Sequence, residues 1–323
     1  MELFTNKRIL IIGDVMLDSY LFGNVDRISP EAPVPIVDII IKQEKLGGAA
    51  NVAANIKNLG GVPILCSIIG KDQKGENFIS ILKKLRISTE HIYLSENRIT
   101  TNKTRIIGNN HQMLRIDEEI KTELNSDQDI LLNMIDQILN NEDIDCILFQ
   151  DYDKGILNEQ VINIISEKAN SLNVPILVDP KKKNFSHYKN IKLFKPNFKE
   201  FKEGLNITGS DRLELLELGS KILHKRGIEI VFITLSENGI FVSYKKGKKI
   251  INKIIPGVPR EVVDVSGAGD TVCAIISSLI GDLDIEKIAE IANIAGGIVC
   301  EEVGVVSINK DKLIEEINKL NIL

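Results

Sequence analysis

From residue 144 onward, short apolar runs alternate with amphipathic stretches, and this rhythm constrains the fold more than any other feature of the chain. Cys146-Ile-Leu-Phe149 reads as a buried strand, Val161 to Leu172 as a helix and Val174 to Val178 as a strand. Lys192 to Lys195 reads as a further strand, Leu213 to His224 as a helix and Ile228 to Thr234 as a strand. Strands that alternate with helices are joined by crossovers, so they lie parallel in one sheet with helices on both faces. Upstream, Arg8-Ile-Leu-Ile-Ile12 reads as a buried first strand. Ala50 to Leu59 reads as a helix, with Val52, Ile56 and Leu59 on one face and Gly60-Gly61 ending it. Val62 to Ile69 is a strand, and Phe78, Ile81, Leu82 and Leu85 mark the next helix. Gly239 to Tyr244 and Lys248 to Ile255 suggest an antiparallel edge hairpin. Helices over 270–280 and 285–300 close the core.

Two segments depart from this rhythm. Residues 17–45 are rich in β-branched residues and carry Pro30, Pro33 and Pro35. Thr100 to Ile107 and His111 to Ile116 flank Gly108-Asn-Asn110, the pattern of a β-hairpin. The expectation is an α/β core of residues 1–16, 46–97 and 118–323, with 17–45 and 98–117 pairing as a small β-sheet lid. A lid with an exposed apolar face and open edges favours a homodimer joined through the lids.

A net charge of −5 gives no support for a nucleic-acid or anionic-membrane partner, so phosphate-binding cations must be local. Cys66, Cys146, Cys273 and Cys300 lack Cys-x-x-Cys spacing and sit among apolar residues, predicting buried free thiols. No signal-peptide pattern opens the chain, and no apolar run approaches the ~20 residues of a membrane span. A cytoplasmic location is the expectation. His91, His111, His187 and His224 are scattered and read as structural or surface residues.

Chemistry is concentrated in Asp264-Val-Ser-Gly-Ala-Gly-Asp270-Thr271. Glu261-Val-Val263 reads as a strand end that runs through two glycines into a long apolar helix. Glycines at such a turn let backbone N–H groups approach an anion, and the helix N-terminus adds unpaired donors. A carboxylate inside an anion cradle makes sense where a hydroxyl must lose its proton beside a phosphate. The bland alternative is a tight turn with an N-capping aspartate. Asp14, Asp18, Asp151, Asp179, Asn197, Thr234 and Asp270 all fall just after expected strands, where ligands bind in open α/β sheets. Each alone also reads as a turn or cap residue. The Gly-x-x-x-x-Gly-Lys-Ser/Thr pattern of P-loop kinases does not occur.

The Asp264–Thr271 stretch resembles the C-terminal signature of the ribokinase (PfkB-type) sugar-kinase family, with Val265 in place of the usual threonine. Gly47-Gly48-Ala-Ala-Asn51 resembles the family's other signature. Several motifs are similar to those of the D-glycero-β-D-manno-heptose 7-phosphate kinases. They are Gly13-Asp14-Val-Met-Leu-Asp18, Arg27-Ile-Ser-Pro-Glu-Ala-Pro-Val-Pro35, Lys103-Thr-Arg105, Gln112-Met-Leu-Arg-Ile-Asp117, Asp151-Tyr-Asp-Lys-Gly155, Asp179-Pro-Lys181 and Thr234-Leu-Ser-Glu237. In many bacteria that kinase is fused to an adenylyltransferase domain, for which this chain of 323 residues has no room.

The resemblance implies a ribokinase-like three-layer αβα fold with a mainly parallel sheet and a β-lid, and a kinase using ATP and Mg²⁺, with a monovalent cation as a further candidate. It implies Asp270 as general base, with Gly267, Ala268 and Gly269 as backbone donors to the transferring phosphoryl group. Asp14, Asp18, Gly47, Gly48, Asn51, Lys103, Arg105, Asp151 and Lys181 become candidates for the sugar phosphate, with Lys103, Arg105 and Lys181 as its phosphate ligands. Asn197 and Glu200 match an Asn-x-x-Glu element linked to Mg²⁺, directly or through water; an N-capped helix is their plain alternative. Thr234, Ser236, Glu237, Gly239 and Asn293 are candidates for the nucleotide side. The expected reaction is phosphorylation of C1 of the heptose 7-phosphate, toward ADP-heptose and lipopolysaccharide. The alternatives are a kinase for ribose, fructose 1-phosphate or tagatose 6-phosphate, or a sugar or nucleotide sensor. Binding alone does not require the Asp270 base, which counts against a sensor.

Overall fold

The computed structural model describes residues 3, 4 and 6–323. Nine strands form the main sheet: β1 (Arg8–Gly13), β4 (Val62–Gly70), β5 (Ile92–Ser95), β8 (Cys146–Gln150), β9 (Ile176–Asp179), β10 (Leu193–Phe194), β11 (Ile230–Thr234), β12 (Ile240–Lys246) and β13 (Lys249–Ile255). Their order is β13-β12-β11-β10-β9-β8-β1-β4-β5. From β11 to β5 every pairing is parallel, and β12 and β13 form an antiparallel edge. One face is covered by α1 (Ala49–Leu59), α2 (Gln73–Lys84), α7 (Ala268–Leu279), α8 (Ile285–Cys300) and α9 (Lys310–Lys319). The other face carries α3 (Asp127–Asn141), α4 (Glu159–Ser171), α5 (Phe198–Leu205) and α6 (Arg212–Lys225). The strands read as continuous apolar runs because both faces are buried. All four cysteines are buried free thiols.

A second sheet has the order β3-β2-β6-β7, from β2 (Val15–Ile28), β3 (Pro35–Gly48), β6 (Asn102–Gly108) and β7 (His111–Glu118). The hairpin over Gly108-Asn-Asn110 forms with Asn109 and Asn110 at positive φ, as its turn chemistry predicts. β2 and β6 pair in parallel, bringing the two β-rich segments together. The first hairpin is longer than 17–45: pairing starts at Val15 with Gly48, at the edge of the main sheet.

Three elements fall outside the sequence expectations: β5, α3 and α9. The expected strand at Glu261-Val-Val263 is absent. Prolines at 256 and 259 interrupt that segment, and the N–H groups of Val263 and Asp264 both donate to the Cys300 carbonyl rather than to a strand. The helix that follows is therefore entered from a loop.

Candidate active site

Gly267 opens α7 with φ +81°, and no side chain caps the helix. Its conformation belongs to glycine, and a Cβ there would lie 2.9 Å from Asn51 Nδ2. Asp264 does not cap α7 either; its carboxylate accepts the N–H groups of Ser266 and Gly304, each at 2.9 Å, and so shapes the turn before the helix. The Ala268 N–H donates to the Val265 carbonyl at 3.3 Å, and the positive end of the helix dipole lies at Gly269 and Asp270.

Asp270, in that first turn, is 3% exposed. Its Oδ2 accepts from Asn51 Nδ2 at 2.8 Å, and its Oδ1 from Gln150 Nε2 at 2.9 Å and the Tyr152 hydroxyl at 2.6 Å. Burial pushes its carboxyl up to about 6, aided by the nearby Asp179 and opposed by the Tyr152 and Asn51 hydrogen bonds and the Lys195 charge. A carboxylate poised near neutrality suits a general base.

Lys195 lies beside it, 4% exposed, with its ammonium 3.0 Å from Asp179 Oδ1. A Cβ on Gly269 would be 4.0 Å from that ammonium, so the cation lies against the first turn of α7. Burial is the largest influence and works against its charge, but Asp179, with Cys273 and Glu200, together outweighs it and raises the Lys195 pKa. Helix N-terminus and lysine together form a positive pocket next to the base.

Four residues here were not singled out from the sequence. Lys195 was legible as a charge at the end of an apolar strand. Gln150, fully buried at the end of β8, donates to both Asp270 and Asp179. Tyr152 follows two residues later. Asn55 lies one turn after Asn51 on the buried face of α1. Its amide donates to the Asn51 carbonyl and Oδ1, while its own oxygen accepts from Thr271 Oγ1 and Ile308 N–H.

Asp14 is buried against the loop that follows β8. Its oxygens accept the N–H groups of Tyr152, Lys154 and Ile156 at 2.8–3.1 Å and hold that loop. Burial and the Asp151 charge raise its carboxyl to about 6, against the three N–H bonds. Asp151 is likewise structural: it is fully buried, bonded to Asn184, Tyr188 and the Asp153 N–H. The oxygens of both carboxylates are thus bonded to the protein's own donors.

Asp18 lies within β2 rather than after a strand. On one row of the small sheet Lys45, Asp18 and Lys103 are neighbours, and on the next Tyr20 sits beside Arg105. Asp18 pairs with the Arg105 guanidinium. Gly47 leaves room for that carboxylate, since a Cβ there would fall 2.2 Å from Asp18 Oδ2; Gly48 would meet the Asp14 carbonyl at 2.5 Å. Lys103 is half-buried and has no ion pair among the described residues. Desolvation and the neighbouring Lys154 charge lower its pKa.

Lys181 is placed away from this row: it pairs with Glu200 and lies over the Tyr152 ring. Asn197 and Glu200 form a reciprocal capping box on α5. Thr234 ends β11 beside Asn197, and Ser236 and Glu237 are exposed on the turn after it. Gly239 is a crossing point: a Cβ would meet the Ile255 carbonyl at 2.0 Å, so it serves the chain rather than a ligand. Asn293, half-buried on α8, donates to the Pro256 carbonyl.

A buried carboxylate thus lies beside a helix N-terminus and a lysine, at the carboxyl ends of a parallel sheet and next to a small β-sheet. The chain belongs to the pfkB family of carbohydrate kinases, whose family model matches residues 6–312. It is 38% identical to the bifunctional protein HldE of Methylobacillus flagellatus over 310 residues, 96% of this chain and 63% of that protein. Against HldE of Helicobacter pylori it is 38% identical over 300 residues, 92% of this chain and 64% of that protein. The chain thus spans less than two thirds of these relatives. In fold it is similar to phosphofructokinase-2 from Escherichia coli in complex with potassium, with TM-score 0.78, 16% identity, and 98% and 100% of the two chains covered. It is also similar to Arabidopsis thaliana ribokinase complexed with ribose and ATP, with TM-score 0.72, 16% identity, and 96% and 98% covered. The ribokinase-like α/β fold expected from the sequence is borne out.

Proposed function

We propose that this chain transfers the γ-phosphoryl group of ATP to the C1 hydroxyl of D-glycero-β-D-manno-heptose 7-phosphate, giving the 1,7-bisphosphate used to make ADP-heptose. The observation that carries the reading is Lys103, which stands in the row Lys45–Asp18–Lys103–Asp117 of the small sheet, half-buried and without an ion pair among the described residues. An unpaired, half-buried cation beside a sugar site suits a sugar that already bears a phosphate. Identity with the HldE proteins over nearly the whole chain supports it.

In this reading the sugar oxygen bonds to the γ-phosphorus while the bond from that phosphorus to the ADP oxygen breaks, and the hydroxyl proton passes to Asp270. The N–H groups at the start of α7 and the Lys195 ammonium take up charge on the transferring group. Asp18 and Asn51 orient sugar hydroxyls. Thr234, Ser236, Glu237 and Asn293 line the nucleotide side. Magnesium enters with ATP. The capping box and the Lys181 pair occupy the Asn197 and Glu200 oxygens, which fits them to the waters of the ion rather than to the ion itself. Both Asp264 oxygens are bonded to N–H groups, so no step is assigned to a monovalent cation at that carboxylate.

The outer face of the small sheet exposes Ile40, Leu114 and Ile116, at 67%, 54% and 44%. It suits a second copy of this chain, giving a homodimer through the lids. Among the described residues no helix is long and apolar enough to cross a membrane.

An ADP-release assay across heptose 7-phosphate, unphosphorylated heptose, ribose, fructose 1-phosphate and tagatose 6-phosphate tests the reading. Heptose 7-phosphate is expected to give the highest kcat/KM. A higher value for another sugar moves the assignment within the family, and no ADP release with any of them leaves a sensor.

A further inference from the structure

Three donors crowd the Asp270 carboxylate, and only one of them is free to leave. Asn51 is buried and held by Asn55, and the Gln150 amide is shared with Asp179. Tyr152 is partly exposed although its phenol lies deep enough for burial to raise its pKa, and among the described residues its hydroxyl bonds to Asp270 alone. Its backbone is fixed, because Asp14 accepts its N–H at 2.8 Å. Freedom therefore lies in the side chain, which can rotate out from beneath the Lys181 ammonium 5.3 Å above its ring.

A hydroxyl about to be phosphorylated must reach the same carboxylate with its proton. Resting on the reading of Asp270 as the base of a sugar kinase, we infer that Tyr152 is a placeholder: its phenol occupies the position at Asp270 that the sugar hydroxyl takes, and keeps water out of it while ATP is bound. Water is the competing acceptor. Its oxygen would bond to the γ-phosphorus, the bond to the ADP oxygen would break, and its proton would pass to Asp270, leaving ADP and phosphate. A phenol is too bulky and too firmly tethered to reach the phosphorus, so it blocks this loss without reacting. The sugar displaces it because the sugar brings further contacts of its own.

Tyr152→Phe removes one oxygen and keeps the ring. With MgATP and no sugar, the variant is expected to hydrolyse ATP at least about tenfold faster than the parent, since water gains the vacated acceptor. Its KM for heptose 7-phosphate is expected to fall about tenfold, equivalent to ~1.4 kcal/mol, with kcat retained. The chain has no tryptophan, so tyrosine emission is directly visible. Adding sugar to the parent should brighten it as the phenol leaves the carboxylate, and the variant should lack that rise. Unchanged hydrolysis together with unchanged KM overturns the inference. So does a fall in kcat at constant KM, which would make Tyr152 a group that stays on the base during transfer. The hydrolysis comparison needs no sugar, so it stands even where heptose 7-phosphate proves not to be the substrate.

Discussion

At the scale of single residues the site turns on how burial is compensated. Asp270 is pushed up to about 6 by burial and kept from rising further by donors. A base must be ionised, so kcat/KM should climb with pH through about 6 and level off above it. Asp14 titrates in the same range, and its protonation would weaken the anchoring of the Tyr152–Ile156 loop, steepening the same limb. Asp270→Asn should bind ATP and sugar nearly normally while turnover drops by ~10²-fold or more; a pH–rate series with calorimetric binding checks both. Lys103 and Arg105 separate in the same way. Lys103 has no structural partner, so Lys103→Ala should leave the unfolding midpoint in place. It should cut kcat/KM for the phosphorylated sugar by roughly 10- to 150-fold, the value of a charged hydrogen bond of ~1.5–3 kcal/mol. Arg105→Ala should also lower stability, because it strands a buried Asp18. The Asp270 carboxylate was legible as a site candidate because Gly-Ala-Gly-Asp states a turn, a donor set and a carboxylate in one short run. Gln150 and Asn55 were not, because each sits among apolar neighbours until the fold brings its partner close, and Lys195 showed only as a charge ending an apolar strand.

At the scale of elements, α1 and α7 meet through amides. Asn51 reaches the base, and Asn55 ties Asn51 to Thr271 and to the Ile308 N–H. Asn55→Ala should therefore cost ~1–3 kcal/mol from unsatisfied buried groups, read from a denaturant midpoint, and lower kcat more than it raises KM. Periodicity made the helices on both faces and the hairpin over 108–110 readable. It missed α3 and α9, whose polar faces interrupt the apolar spacing, and β5, only four residues long. It invented a strand at 261–263, because β-branched residues there resemble a strand wherever no neighbour is available to deny one. Of the two readings of Asn197-Phe-Lys-Glu200, the geometry shows the helix cap: it is a capping box, with Lys181 and Thr234 beside it.

At the scale of the molecule, the proposed lid-to-lid dimer makes a direct prediction. Leu114→Glu places a charge on the exposed apolar face and should yield monomers in light scattering at concentrations where the parent is dimeric; a parent that is itself monomeric removes the dimer from the account. The small sheet is also more than a cover. β2 and β3 leave the core as one ribbon, paired from Val15 and Gly48 to Phe22 and Ile41 before the first irregularity. At its root the Asp14 carbonyl accepts the Ala49 N–H at 3.0 Å. A plate carried on such a cantilever has no hinge: it flexes along its length, and a load at the far end is felt at the root. Two residues beyond that root stands Asn51, which holds the base. The small sheet is thus rooted two residues from the amide that donates to Asp270 at 2.8 Å.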